Sequence, residues 1–194
     1  MSYRLLSRQS ITPLEVLDAL HVWQIDDPAG TPVYVDITSA FNGGGSCSPW
    51  PSPEGVGDQM AVAFSRPVNR FRIDMSATLG IGGTIAIKYW DGAALQTVAG
   101  LTDGTTGFTV GGVNEITFNM PAAVAQTVNG EGPYYWYYFE VATGYSTEPV
   151  LDQGWVLTGS AISIPAIRGK GSHGTLRFYC RNTTGDAVCL DLRE

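Results

Sequence analysis

Lysine is almost missing from these 194 residues, occurring only as Lys88 and Lys170, and 11 basic side chains face 18 acidic ones for a net charge of −7. The nearest thing to a basic cluster is Arg168-Gly169-Lys170. A nucleic-acid binder needs a basic stripe to displace counterions from phosphates, and an anionic membrane surface makes the same demand. Neither is expected as a partner. Histidine is nearly as scarce: His21 and His173 provide no HExxH and no cluster for zinc. The three cysteines, Cys47, Cys180 and Cys189, are odd in number and show no C-x-x-C spacing. The opening MSYRLLSRQSITPLEVLD lacks the apolar stretch of a secretory signal. Together these predict a chain made and assembled in a reducing cytosol. No apolar run approaches the roughly 18 residues of a membrane-spanning helix.

Turn formers are abundant, with 24 Gly and 11 Pro in a chain that is 44% hydrophobic and 15% charged. That texture predicts many short strands rather than helices. Alternation marks the strands: Val33, Val35 and Ile37; Met60, Val62 and Phe64; Phe71, Ile73 and Met75 set against Arg70, Arg72 and Asp74; Ile85, Ile87 and Tyr89. Asp91-Gly92 and Asn129-Gly130 suit tight turns that require positive φ. Residues 42–57, NGGGSCSPWPSPEGVG, read as a long loop. Thr12-Pro13-Leu14-Glu15 has the form of a helix start, and Leu14, Leu17 and His21 recur at helical spacing, so a short helix over about 13–21 is expected. The apolar run onward to Trp23 and Ile25 is the competing strand reading. Near the C-terminus WVLT, AISIPAI, TLRFYCR and AVCLDLR read as strands. Placing Leu176, Phe178 and Cys180 on the same side as Val188, Leu190 and Leu192 requires Cys180 to oppose Val188. That register leaves Thr183-Thr184-Gly185 as the loop and argues against a Cys180–Cys189 disulfide.

Catalytic patterns fare poorly. Gly169-Lys170-Gly171-Ser172-His173-Gly174 matches G-x-G-x-x-G, but a strand pattern follows it where a helix N-terminus should meet a pyrophosphate. Ser172 does not sit in G-x-S-x-G, because Lys170 occupies the first Gly position. Carboxylates are numerous, yet no spacing selects an acid–base pair, and most lie in turns where Asp serves the local backbone. The hard oxygen ligands of these turns suit a structural calcium, without EF-hand spacing to support one. No cofactor is expected.

One stretch does stand out. In Tyr134-Tyr135-Trp136-Tyr137-Tyr138-Phe139 a strand would put Tyr135, Tyr137, Phe139 and Val141 on one face and Tyr134, Trp136, Tyr138 and Glu140 on the other. The first set fills a core. The second, at about 150–250 Å² buried per ring, needs a cover of its own, from the chain or from a partner.

In order along the chain come VDIT (35–38), VNRFRIDMSATLGIGGTIAIKYWDGAAL, LTDGTTGF, ITFNMP, TVNG and YYWYYFEV. With these motifs the stretch from about Val33 to Val141 resembles a β-sandwich module common among bacteriophage and prophage structural proteins. The family's usual Trp after the hairpin is Leu95 here, and Tyr138 and Glu140 stand where its aromatic strand often carries Arg outward. The resemblance implies an all-β antiparallel β-sandwich, jelly-roll-like or galactose-binding-like, and a non-enzymatic virion component of a tail, baseplate or head. Residues 1–30 would be an N-terminal arm with a short helix, 31–145 the sandwich, and 146–194 a C-terminal β extension. Its partners would be other virion proteins and copies of itself, in a closed homo-oligomer, within a virion assembled in the host bacterial cytoplasm. Trp136 and Tyr138 are expected beneath one of the terminal extensions. The alternative is a carbohydrate-binding module for host adsorption, with Trp50 in the CSPWPSP loop as its exposed aromatic. Trp23 completes the interaction candidates.

Overall fold

A computed structural model describes the backbone of residues 4–11, 14–26, 28–159, 162–168, 176–181 and 187–192, and side chains over 16–26 and 28–156. The strands are β1 (Arg4–Ile11), β2 (Leu14–Leu17), β3 (His21–Asp26), β4 (Val33–Asp36), β5 (Gln59–Phe64), β6 (Arg70–Met75), β7 (Thr84–Trp90) and β8 (Leu95–Thr97). They continue as β9 (Thr102–Asp103), β10 (Gly112–Thr117), β11 (Gln126–Val128), β12 (Glu131–Thr143), β13 (Leu151–Gly159), β14 (Ile162–Arg168), β15 (Leu176–Arg181) and β16 (Ala187–Leu192). One helical turn, Ala40–Gly44, interrupts them.

The chain divides into two compact units: Val16–Leu157, and Met1–Glu15 together with Thr158–Glu194. The larger unit is an antiparallel β-sandwich. One sheet has the order β2-β13-β6-β10-β9, and the other β4-β3-β5-β12-β7-β8, with β11 also paired to β12. Between them lies a core built from every second residue of the predicted strands: Met60, Val62 and Phe64; Phe71, Ile73 and Met75; Tyr137, Phe139 and Val141. Phe71 is its centre, 5.0 Å from the Phe139 ring and 5.6 Å from Tyr137, both edge to face. The Tyr137 hydroxyl donates to the Val68 carbonyl and accepts from its amide, each at 2.8 Å, which ties the β5–β6 connection to the core. On β6 the intervening Arg70, Arg72 and Asp74 are half-buried, as the alternation requires, and Glu115 of β10 lies 3.4 Å from Arg72.

The expected helix over 13–21 is a correction: Leu14–Leu17 and His21–Asp26 are strands, and Thr12-Pro13 lies outside the described residues. The reason is that β3 sits inside a sheet, between β4 and β5. It buries Val22 on the inner face and Ile25 on the outer. A strand used on both faces shows no polar–apolar alternation, so its run mimics other patterns, and tertiary pairing overrides the capping signal. Residues 16–30, expected in an arm, therefore belong to the sandwich.

The smaller unit joins the two ends of the chain. β1 pairs with β14, from Arg4 opposite Arg168 to Ile11 opposite Ile162, with a slip between Leu5 and Arg8. β15 pairs with β16, with Cys180 opposite Val188 and Leu176 opposite Leu192, the register that hydrophobic matching predicts. The loop at 183–185 and the glycine motif at 169–174 lie outside the described residues, though the residues after that motif, Leu176–Arg181, are strand.

Candidate functional site

The second aromatic face lies on the outer side of the β4-β3-β5-β12-β7-β8 sheet, and register explains how it packs. Ala63 of β5 stands between His21 on β3 and Trp136 on β12. Ala61, two residues back, stands between Trp23 and Tyr138. The alanines are short and fully buried, so the large rings on either side lean over them. His21 stacks on Trp23 at 6.4 Å and on Tyr134 at 5.6 Å, and Tyr134 lies 6.4 Å from Trp136. Tyr34 meets Trp23 edge-on at 6.1 Å.

The cover over Trp136 and Tyr138 is β11. Asn129 and Gly130 take φ of 48° and 82°, the positive pair of a tight hairpin, and return the chain from β11 into β12. The Trp136 indole N–H donates to the Gln126 carbonyl at 3.0 Å, and the Gln126 side-chain amide donates to the Tyr138 hydroxyl at 2.6 Å. Val128 closes the cluster. Trp136 is fully buried and Tyr138 nearly so. Burial, and secondarily the Tyr34 phenol nearby, pushes the Tyr138 hydroxyl far above the usual phenol range. These rings were expected beneath a terminal extension; β3, within the first 30 residues, is one of their neighbours, and β11 is the segment laid over them among the described residues. Their neighbours come from β3, β5 and β11 within the sandwich, because a tight hairpin lays the preceding segment over the aromatic strand.

Beyond the rings the next row is polar. Gln59 of β5 stands between Ile25 and Glu140, and Tyr34 of β4 stands beside Ile25. Glu140 accepts from Lys88 Nζ at 2.6 Å and from Gln59 Nε2 at 2.8 Å. This row floors a groove of about 690 Å³ walled on one side by residues 126–129 and on the other by residues 55–58. Asp58 in that second wall is buried and accepts from the Gly55 amide at 2.6 Å. Tyr138, Tyr34, Glu140 and Asp26 also line the groove, and among the described residues no lysine or arginine does.

The other candidates fall elsewhere. Trp50 is 1% exposed, its N–H donating to the Phe139 carbonyl at 2.9 Å and its ring 5.3 Å from Tyr145 and 5.5 Å from Phe108. It closes one end of the inner core and offers nothing to a sugar. The Gly/Pro-rich loop around it folds inward because Cys47 bridges to Leu151 through two backbone hydrogen bonds of 2.8 Å. Cys47 is a free, buried thiol, raised to about 11 by burial and then by the Asp152 carboxylate. Trp23 is half-buried in the outer cluster, and its indole N–H has no partner among the described residues. Asp103 and Asp91 serve their own turns, accepting from Thr105, Gly107, Ala93 and Ala94 amides. Among the described residues no three His, Cys, Asp or Glu side chains gather as a metal site. Sequence reading missed Gln126, Gln59 and Tyr34. The alternating alanines of QMAVAF, which leave room for rings on both sides, were the legible hint.

By fold this is an antiparallel β-sandwich whose outer face carries a second, smaller core and a polar groove. Comparison of the chain with protein-family models, with curated proteins and with solved structures finds no match.

Proposed function

We propose that this protein is a structural component of a bacteriophage virion, working by association with copies of itself and with other virion proteins rather than by catalysis. The observation that supports association is the edge strand β4. It ends the sheet, so one side of its backbone has no strand partner among the described residues. Tyr34 faces the outer cluster, so Val33 and Val35 point to the inner side, where they remain 55% and 47% exposed. An unguarded edge with apolar side chains on its buried-type face is a template for pairing with another chain. The placement in a virion rests on the motif series between Val33 and Val141.

Sedimentation velocity of the full chain tests the association. Oligomers are expected, and Val33→Lys with Val35→Lys should shift them to smaller species without unfolding, since both side chains are exposed. A chain that stays monomeric at every concentration tested rejects the association. For the virion itself, the chain should be recovered at fixed stoichiometry from purified particles, and its absence from them rejects that part.

A further inference from the structure

The groove on the outer face has chemistry that assembly through β4 does not use. Its size, about 690 Å³, falls within the roughly 300–1,000 Å³ of small-ligand sites. We propose that it binds a neutral glycan. Anions are disfavoured, because Asp26 and Glu140 line the groove and, among the described residues, no lysine or arginine does. A metal ion is disfavoured, because no cluster of three ligating side chains forms among the described residues. A peptide adding itself as a strand is disfavoured at the floor, because β5 is paired on both sides, by β3 and β12, and β12 by β5 and β7. The floor therefore offers side chains alone.

Those side chains are held in place and only half used. The Gln126 side-chain nitrogen donates to the Tyr138 hydroxyl, which leaves the Gln126 side-chain oxygen as an acceptor and the phenol proton to be donated, since it is the backbone carbonyl of Gln126 that serves Trp136. The Gln59 nitrogen donates to Glu140, leaving the Gln59 carbonyl oxygen. Lys88 locks the Glu140 carboxylate from the far side. Interleaved fixed donors and acceptors match hydroxyl groups, each of which both gives and takes a hydrogen bond. The half-buried Tyr34 ring, backed by the buried Ile25 and Val128, supplies surface for the C–H face of a sugar ring. Pre-formed hydrogen bonds within the floor lower the ordering cost of binding.

The test is a glycan array of neutral and acidic oligosaccharides probed with the full chain, followed by titration calorimetry of each hit. At least one neutral oligosaccharide should bind. Tyr34→Ala and Gln126→Ala should each weaken it about tenfold or more, the loss of one or two ligand contacts. In the wild-type chain the side-chain amide resonances of Gln59 and Gln126 should shift on saturation, a readout that does not depend on any variant folding. Silence toward every neutral glycan, binding of acidic glycans alone, or unmoved Gln59 and Gln126 amides on saturation overturns the proposal. Binding retained by the dissociated Val33→Lys, Val35→Lys chain separates it from the assembly reading, because either can then fail alone.

Discussion

Truncating Trp136 to alanine is the sharpest test of whether the outer aromatic face is a core. The ring is fully buried, rests over Ala63, and gives its N–H to the Gln126 carbonyl at 3.0 Å. A buried Trp→Ala change costs about 3–5 kcal/mol. A hydrogen bond of this kind contributes about 0.5–1.5 kcal/mol of that, and its loss leaves a Gln126 carbonyl without its donor. Trp136→Phe keeps most of the ring and drops the donor, so it should cost about 1–2 kcal/mol. An exposed strand residue would lose no more than about 0.5 kcal/mol. The assay is urea unfolding followed by tryptophan emission. All five tryptophans, Trp23, Trp50, Trp90, Trp136 and Trp155, lie within Val16–Leu157, so the signal reports the sandwich alone. The midpoint should fall while the slope with urea stays constant. A loss below about 1 kcal/mol for Trp136→Ala would refute the reasoning, since it would mean that β11 adds no real cover.

Gly154 of β13 packs against Phe41, and a Cβ there would lie inside the ring's van der Waals contact. Gly154→Ala should therefore cost about 1–3 kcal/mol, against the usual small gain from a stiffer unfolded chain, and Phe41→Leu in the same chain should recover part of it. Additive losses in that double variant would contradict the contact. Alkaline pH should destabilise the sandwich: burial raises Tyr137 from 10.0 to about 12, with Tyr138 and Tyr145 raised as well. The folded state holds these protons more tightly than the unfolded state, so the stabilisation is complete below about pH 10 and is lost as pH climbs toward 12. Urea midpoints measured across that range check it, and Tyr138→Phe should flatten the fall. Native Cys47 should resist alkylation and react once urea unfolds the chain, as peptide mass mapping of the Cys47 peptide would show; fast native labelling counts against its burial.

How far the sequence reaches depends on how local the governing interaction is. Period-two alternation made β5, β6 and β7 legible, because each has one face on the inner core and side-chain direction follows from chain position alone. The β15–β16 register was legible for the same reason: two apolar sets must share a side, and the pairing then has one solution. The segment holding β2 and β3 left two readings open: the spacing of Leu14, Leu17 and His21 suits a helix, the apolar run to Trp23 and Ile25 suits the strand that forms, and burial of β3 on both faces removes the polar alternation that would have decided between them. Trp50 misled for a different reason. A Gly/Pro-rich loop is usually exposed, and only the Cys47–Leu151 bridge and the Phe139 carbonyl pull this one inward.

Composition and periodicity alone determined that the chain is an all-β antiparallel protein and that both faces of its aromatic strand need cover. Tertiary structure alone decided what that cover is, that both ends of the chain share one unit, and that Gln59, Gln126, Tyr34 and Glu140 surround one groove. The physical reason is range. Alternation and turn chemistry act over a few neighbouring residues, whereas Gln24 reaching Trp50, or Tyr34 sharing a groove with Gln126, depends on how distant strands order themselves in a sheet.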